Sequence, residues 1–155
     1  MRYQAMVAVA GVLALAACKA PEGAAPEAEA QKTLGEVMAA EYPQAMETWK
    51  GYAERRAEEG HEWIPTLAVT SGPLVPVTLG EKSYLKGYAC ANGEPACDES
   101  RVVFLMAPDQ SRIFGYGEFN LSNGNSSQRI LGAANGEELR CLRFFLSDKT
   151  GATSC

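Results

Sequence analysis

Four cysteines in the C-terminal two thirds of the chain constrain its fold more than any other feature. Cys90 and Cys97 enclose six residues between two β-type segments, and Cys141 and Cys155 follow near the C-terminus. Four cysteines allow three disulfide connectivities. Pairing of sequence neighbours is favoured, because it closes short loops without passing the chain across a sheet. By the loop-entropy estimate, each such closure contributes about 2.5 to 3 kcal/mol.

Zinc binding is the other common use of four cysteines in a small domain. Structural zinc sites usually pair their ligands as Cys-x2-Cys or Cys-x4-Cys. Here six residues separate Cys90 from Cys97, and the second pair is spaced more widely still. We therefore predict disulfides, with no metal and no cofactor.

The N-terminus carries the three parts of a secretory signal. Arg2 gives a positive charge, Ala5–Ala14 is apolar, and small residues precede Cys18. The apolar run is too short to span a hydrocarbon core of about 30 Å. Leu15-Ala16-Ala17-Cys18 resembles the bacterial lipobox, which implies cleavage before Cys18 and acylation of that cysteine. We expect a signal peptide over 1–17 and a lipoprotein that faces the periplasm. The resemblance favours the outer membrane, because Lys19 rather than aspartate follows the cysteine.

Composition divides the remaining chain into a tether and a domain. Residues 18–32 are rich in Ala, Pro and Glu and have no core-forming side chains, which is typical of a flexible linker. Residues 33–155 have the length of a single globular domain. Without Arg2 the chain has 13 basic and 19 acidic residues. This acidic balance argues against nucleic acid or an anionic membrane face as a partner.

The pattern of apolar residues predicts a helix followed by short strands. Between Tyr42 and Glu59 they recur every three or four residues, with Pro43 in the first turn and Gly60 at the end, and Thr33–Glu41 can add a helical turn or two. Short β-type runs separated by turns follow. The predicted strands are Leu74–Leu79, Ser83–Ala89, Arg101–Met106, Arg112–Phe119 and Glu138–Leu146, and Leu121–Ser127 is predicted to be a loop.

Short connections require neighbouring strands to pair antiparallel. The predicted fold is therefore α+β: an antiparallel sheet of about five strands, with the N-terminal amphipathic helix packed on one face.

Candidate catalytic groups are sparse. His61 is the only histidine in the sequence, and at the end of a helix a structural role is the more common one. No serine lies in a nucleophile-elbow motif. The acidic residues in and after the cysteine loop are more typical of a solvated edge than of a glycosidase acid pair: Glu94, Asp98 and Glu99. We predict that the protein is not an enzyme.

The segment from Trp63 to Phe119 carries a spaced pattern of Gly, Tyr and Cys. Its parts are Trp63, Gly72, Val77-Thr78-Leu79-Gly80, Tyr84, Cys90, Cys97 and Ser100-Arg101-Val102-Val103-Phe104-Leu105. The pattern resembles the inhibitor of vertebrate lysozyme (Ivy) family. The resemblance implies an envelope protein, often a homodimer, whose disulfide-closed loop enters the active-site cleft of C-type lysozyme.

In that family the loop typically reads Cys-Lys-Pro-His-Asp-Cys, and its histidine is understood to hydrogen-bond to the catalytic carboxylates of the target. Here the loop is two residues longer and has no histidine. The alternatives are that Asn92 donates through its amide, that backbone N–H groups around Gly93 do so, or that Glu94 meets cations on the cleft rim. With Pro95, these residues form the predicted inhibitory loop.

The sequence thus predicts an envelope-anchored inhibitor of a peptidoglycan-cleaving muramidase, either a C-type lysozyme or a lytic transglycosylase. The alternative is an envelope lipoprotein that binds peptidoglycan or an envelope protein, in which the disulfide is purely structural. Shortening the loop between Ala91 and Ala96 distinguishes the two, because only the first loses its function.

Overall fold

Along the described chain, three helices precede a meandering five-stranded sheet and one helix follows it. The computed structural model describes residues 32–55, 61–69, 71–92, 100–121, 123–147 and 151–155. The elements are α1 (Leu34–Glu41), α2 (Pro43–Glu54), α3 (Trp63–Thr66), β1 (Val75–Leu79), β2 (Lys82–Cys90), β3 (Arg101–Met106), β4 (Ile113–Asn120), β5 (Ser126–Leu131) and α4 (Gly136–Ser147). The strands pair in chain order, and every neighbouring pair is antiparallel. The predicted α+β class is confirmed.

The last predicted strand is wrong, because Glu138–Leu146 lies within helix α4. Asn135 Oδ1 accepts the backbone N–H of Glu138 at 2.9 Å, and Glu138 Oε2 accepts the N–H of Asn135 at 2.9 Å. This reciprocal pair is a capping box, which satisfies amides that a helix start leaves unpaired. The buried side chains then recur at helical spacing: Glu138, Cys141, Leu142, Phe145 and Leu146.

The fifth strand is instead β5, which overlaps the end of the predicted loop Leu121–Ser127. The turn itself is present, since Leu121 N–H donates to the Asn125 carbonyl at 2.8 Å. Pairing with β4 begins at Ser126, opposite Asn120. Four of the six residues of β5 are polar, and Ser126, Gln128 and Ile130 are exposed, as suits an edge strand.

The predicted N-terminal helix is present as two helices that meet at Tyr42. Pro43 occupies the first turn of α2, where its missing N–H costs nothing. Gln110 Oε1, from the β3–β4 turn, accepts the next backbone N–H, that of Gln44, at 3.1 Å. Residues 56–60, with the predicted stop at Gly60, lie outside the described residues.

The sheet is covered on both faces, whereas the sequence predicted a helix on one. On one face α1, α2 and α3 bury Met38, Trp49 and Leu67 against strand residues such as Phe104. On the other face α4 buries Leu142 and its neighbours against alternate residues of the same strands. Strand side chains alternate between the faces, so β3 is apolar at nearly every position.

Glycines on the α2 side let aromatic rings approach the strands closely. A Cβ at Gly115 would lie 2.8 Å from Trp49 Cζ3 and 2.8 Å from the Val103 carbonyl oxygen. At Gly117 it would collide with the Phe119 ring. The Gly115-Tyr116-Gly117 stretch is therefore a place of close approach.

The C-terminal residues cover the outer edge of β1. Cys155 forms a disulfide with Cys141 of α4, which confirms the predicted pairing. The segment just before it accepts a hydrogen bond from Thr78 N–H at the Thr153 carbonyl, 3.0 Å away. This covering segment shields an edge that could otherwise pair with another chain.

None of the helices in the described ranges has the length and apolar character needed to cross a membrane.

Candidate functional site

The predicted inhibitory loop connects β2 to β3 in the middle of the sheet. Cys90, the last residue of β2, is paired with Arg101, the first of β3. Ala91 N–H donates to the Ser100 carbonyl at 2.8 Å, which extends the hairpin by one step. Cys90 is disulfide-bonded and buried. The described residues on either side of the loop, Ala91 and Ser100, therefore continue the pairing of β2 with β3.

The structure places only part of the predicted loop. Asn92 is exposed in the turn that leaves β2. Gly93, Glu94, Pro95 and Cys97 lie outside the described residues, and so do Asp98 and Glu99. The site that can be analysed is therefore the base of the loop.

On the α2 side, the base of the loop is held by Ser100. Its hydroxyl oxygen accepts the backbone N–H of Asn120, at the end of β4, at 3.0 Å. The same oxygen lies 2.8 Å from His61 Nε2. The imidazole packs edge-on against the Phe119 ring, with centroids 5.2 Å apart. Ser100 thus joins the loop to β4 and to the segment before α3.

On the α4 side, the base is held by a row of polar side chains. Arg101 Nη2 donates to Glu118 Oε2 at 2.8 Å, and Gln128 Nε2 donates to Glu118 Oε1 at 3.3 Å. The strand registers place these residues and Cys90 side by side across β2 to β5. The hydrogen bond to Glu118 raises the pKa of Arg101, against the opposing effect of burial. The arginine is a fixed positive charge beside the loop.

The pair of Ser100 and His61 has the separation of a nucleophile and its general base. Its surroundings do not fit that chemistry. Ser100 is 4% exposed and His61 5% exposed, so neither reaches the surface. His61 Nδ1 is buried and has no hydrogen-bond partner among the residues that the structure describes, whereas a catalytic imidazole is oriented by a third group there. The described geometry favours a structural role for this pair.

A second cluster of charges lies away from the loop and fastens α4 to the sheet. Glu138 accepts two hydrogen bonds from Arg112 and one, at 3.2 Å, from the Tyr84 hydroxyl. Burial alone would raise the pKa of Glu138, but these donors and the Asn135 N–H together lower it. Burial and the adjacent carboxylate raise the pKa of Tyr84. The polar groups named in this cluster bond to one another and hold α4 against the sheet, so the cluster has a structural role.

No group of three His, Cys, Asp or Glu side chains suited to a metal occurs in the described part of the chain. At the loop base, the contacts that sequence reasoning missed are those of Ser100. Its position directly before β3 was visible, but its contacts join residues 39 and 20 positions away in sequence.

In comparisons with known proteins, no family model matches the chain and no curated protein matches it. The resemblance to the Ivy family therefore remains a prediction from residues 63–119.

Proposed function

We propose that this protein is an Ivy-like, envelope-anchored inhibitor of a peptidoglycan-cleaving muramidase, either a C-type lysozyme or a lytic transglycosylase. Its cysteine loop, residues 90–97, enters the active-site cleft of the target. The observation that carries the proposal is the double anchoring of the loop base. Ser100 is held on one face of the sheet, and Arg101 on the other.

Anchoring matters because an inhibitory loop must keep its shape without help from its target. A segment that is already ordered loses little conformational entropy on binding, so more of the contact energy appears as affinity. The strands beneath the loop support this, since Val102 to Met106 of β3 are all buried. The disulfide at Cys90 restrains the same end of the hairpin.

The loop offers polar groups that can meet a muramidase cleft. Asn92 is exposed, and its side-chain amide can donate to a carboxylate of the target. Glu94 can pair with cations on the rim of the cleft, and the net negative charge of the chain would steer it to a basic enzyme. These contacts replace the histidine that the family uses.

A turbidity assay tests the proposal directly. The chain from residue 18, with Cys18→Ser to prevent lipidation, is added to cell-wall suspensions that are cleared by lysozymes or lytic transglycosylases. We expect slower clearing by at least one enzyme. Asn92→Ala and Glu94→Ala should each weaken the inhibition by about 1 to 3 kcal/mol if they are hot spots. Glu47→Ala, on the exposed side of α2, serves as the control and should leave inhibition unchanged.

Failure of micromolar protein to slow any enzyme of the panel would reject the inhibitor. Retention on purified peptidoglycan, unaffected by a shortened loop, would then identify the envelope-binding lipoprotein instead.

A further inference from the structure

His61 lies outside the loop in sequence but directly beneath its base. It lies two residues before the start of the short helix α3, and its ring is buried against Phe119 of β4. Its hydrogen bond reaches across 39 sequence positions to Ser100.

Ser100 connects the two ends of the loop. Its carbonyl accepts the N–H of Ala91, which follows the last residue of β2, at 2.8 Å. Its hydroxyl oxygen accepts the N–H of Asn120 at 3.0 Å and contacts His61 at 2.8 Å. A shift of Ser100 must therefore move Ala91 and the start of β3 together.

If the imidazole served only to stabilise the fold, its burial at this position would carry an unfavourable free-energy cost. One ring nitrogen, Nδ1, is buried and finds no hydrogen-bond partner within the described part of the chain, and burying an unpaired polar atom costs free energy. An apolar side chain of similar size would keep the contact with Phe119 and avoid that cost. The histidine provides one interaction that an apolar side chain cannot, which is the hydrogen bond to Ser100.

We propose that His61 is a positioning residue for the cysteine loop, acting through its hydrogen bond to Ser100. The inference rests on the proposed function in one respect only: the expected effect of His61 on inhibition. The geometric part concerns the loop base alone and can be tested without any target enzyme.

Amide hydrogen exchange in the Cys18→Ser chain provides that test. The Ala91 amide reports on the loop base, and the Thr78 amide, bonded to Thr153 at the far edge of the sheet, reports on the rest of the fold. His61→Leu should speed exchange at Ala91 relative to Thr78 by about tenfold, the factor expected for one lost hydrogen bond. Its urea midpoint should be unchanged or higher.

His61→Gln provides the conservative control. The glutamine side chain carries an Nε2 donor at a similar reach and should return the exchange at Ala91 to near the wild-type ratio. Ser100→Ala removes the other partner together with the acceptor of the Asn120 N–H. It should therefore speed exchange at Ala91 at least as much as His61→Leu, which keeps the test informative if the leucine variant does not fold. An unchanged ratio in these variants, or equal acceleration at both amides, would overturn the inference.

The inhibition readout separates this inference from the proposed function. With a muramidase that the wild-type chain inhibits, His61→Leu should weaken inhibition about tenfold while His61→Gln retains it. If the wild-type chain inhibits nothing, the proposed function fails, and the exchange ratio at Ala91 still decides the role of His61.

Discussion

Arg112 and Glu138 form a two-pronged ion pair, with Nη1 at 2.6 Å from Oε1 and Nη2 at 2.8 Å from Oε2. Arg112 lies just before β4, and Glu138 lies in the first turn of α4. The carboxylate is 1% exposed and also accepts the N–H of Asn135. The pair therefore joins the start of the last helix to the sheet.

The ion pair gives folding stability a defined dependence on acid. The folded-state pKa of Glu138 is lower than the ordinary value of a glutamate. The ion pair therefore stabilises the fold fully at any pH above the unfolded-state pKa, which is about 4.3. This stabilisation is lost as pH falls through the folded-state value. Glu138→Gln should lower the free energy of unfolding at pH 7 by about 1.5 to 3 kcal/mol. Urea unfolding of both proteins from pH 7 to 3 should show this difference shrinking in acid.

Glu137→Gln is the matched control for that series. Glu137 is the exposed neighbour in the same helical turn, and its substitution should change the unfolding free energy little at any pH. A difference between wild type and Glu138→Gln that stays constant to pH 3 would contradict the assignment.

The C-terminal disulfide should stabilise both the fold and the cover of β1. Replacing both cysteines, Cys141→Ser with Cys155→Ser, should lower the free energy of unfolding by about 3 kcal/mol on the loop-entropy estimate. The Thr78 amide should exchange faster, because its acceptor lies two residues before Cys155. Urea midpoints and exchange rates measure the two effects. Protection of Thr78 equal to wild type would show that the covering segment holds without the disulfide.

The sequence predicted the central strands well and the ends of the sheet poorly. Arg101–Met106 matches β3 because a strand buried on both faces needs an unbroken apolar run. In α4, Leu139-Arg140-Cys141 also alternates as a strand would, and the deciding signal was the Asn-x-x-Glu capping box at Asn135. In β5 the polar run Ser126-Ser127-Gln128-Arg129 has no apolar alternation, and only pairing with β4 makes it a strand.

For the candidate site too, the sequence predicted one part and missed another. The position of the loop between two strands followed from local patterns around Cys90. The contact between His61 and Ser100 depends on how the segment before α3 packs against Phe119 of β4, and no local pattern encodes that. Long-range packing decides such contacts, so a single sequence reveals the loop but not what holds it.

Gly35 is required by a close approach between α1 and the chain after α3. Its N–H donates to the Leu67 carbonyl at 3.0 Å, and a Cβ there would collide with the Thr66 carbonyl oxygen. Backbone cannot move aside as a side chain does, so Gly35→Ala should destabilise the fold by about 1 to 3 kcal/mol despite its better helix propensity. Gly51→Ala in α2 meets no atom within 4 Å and should stabilise the fold by about 0.5 to 1 kcal/mol. Thermal or urea unfolding of the two variants should give opposite signs, and a stabilised Gly35→Ala protein would contradict the packing.

Gln110, in the β3–β4 turn, caps the start of α2 with its side chain and has a left-handed backbone conformation. Two substitutions separate the effects of the cap and of the backbone strain. Gln110→Ala removes the acceptor for the Gln44 N–H but keeps a side chain at a φ of 62°, so it should cost about 0.5 to 2 kcal/mol. Gln110→Gly loses the same cap but relieves the left-handed strain, which amounts to about 1 to 2 kcal/mol for a residue with a Cβ. The glycine variant should therefore be the more stable of the two in urea unfolding. Equal stability of both variants and wild type would mean that the amides at the start of α2 do not depend on this remote cap.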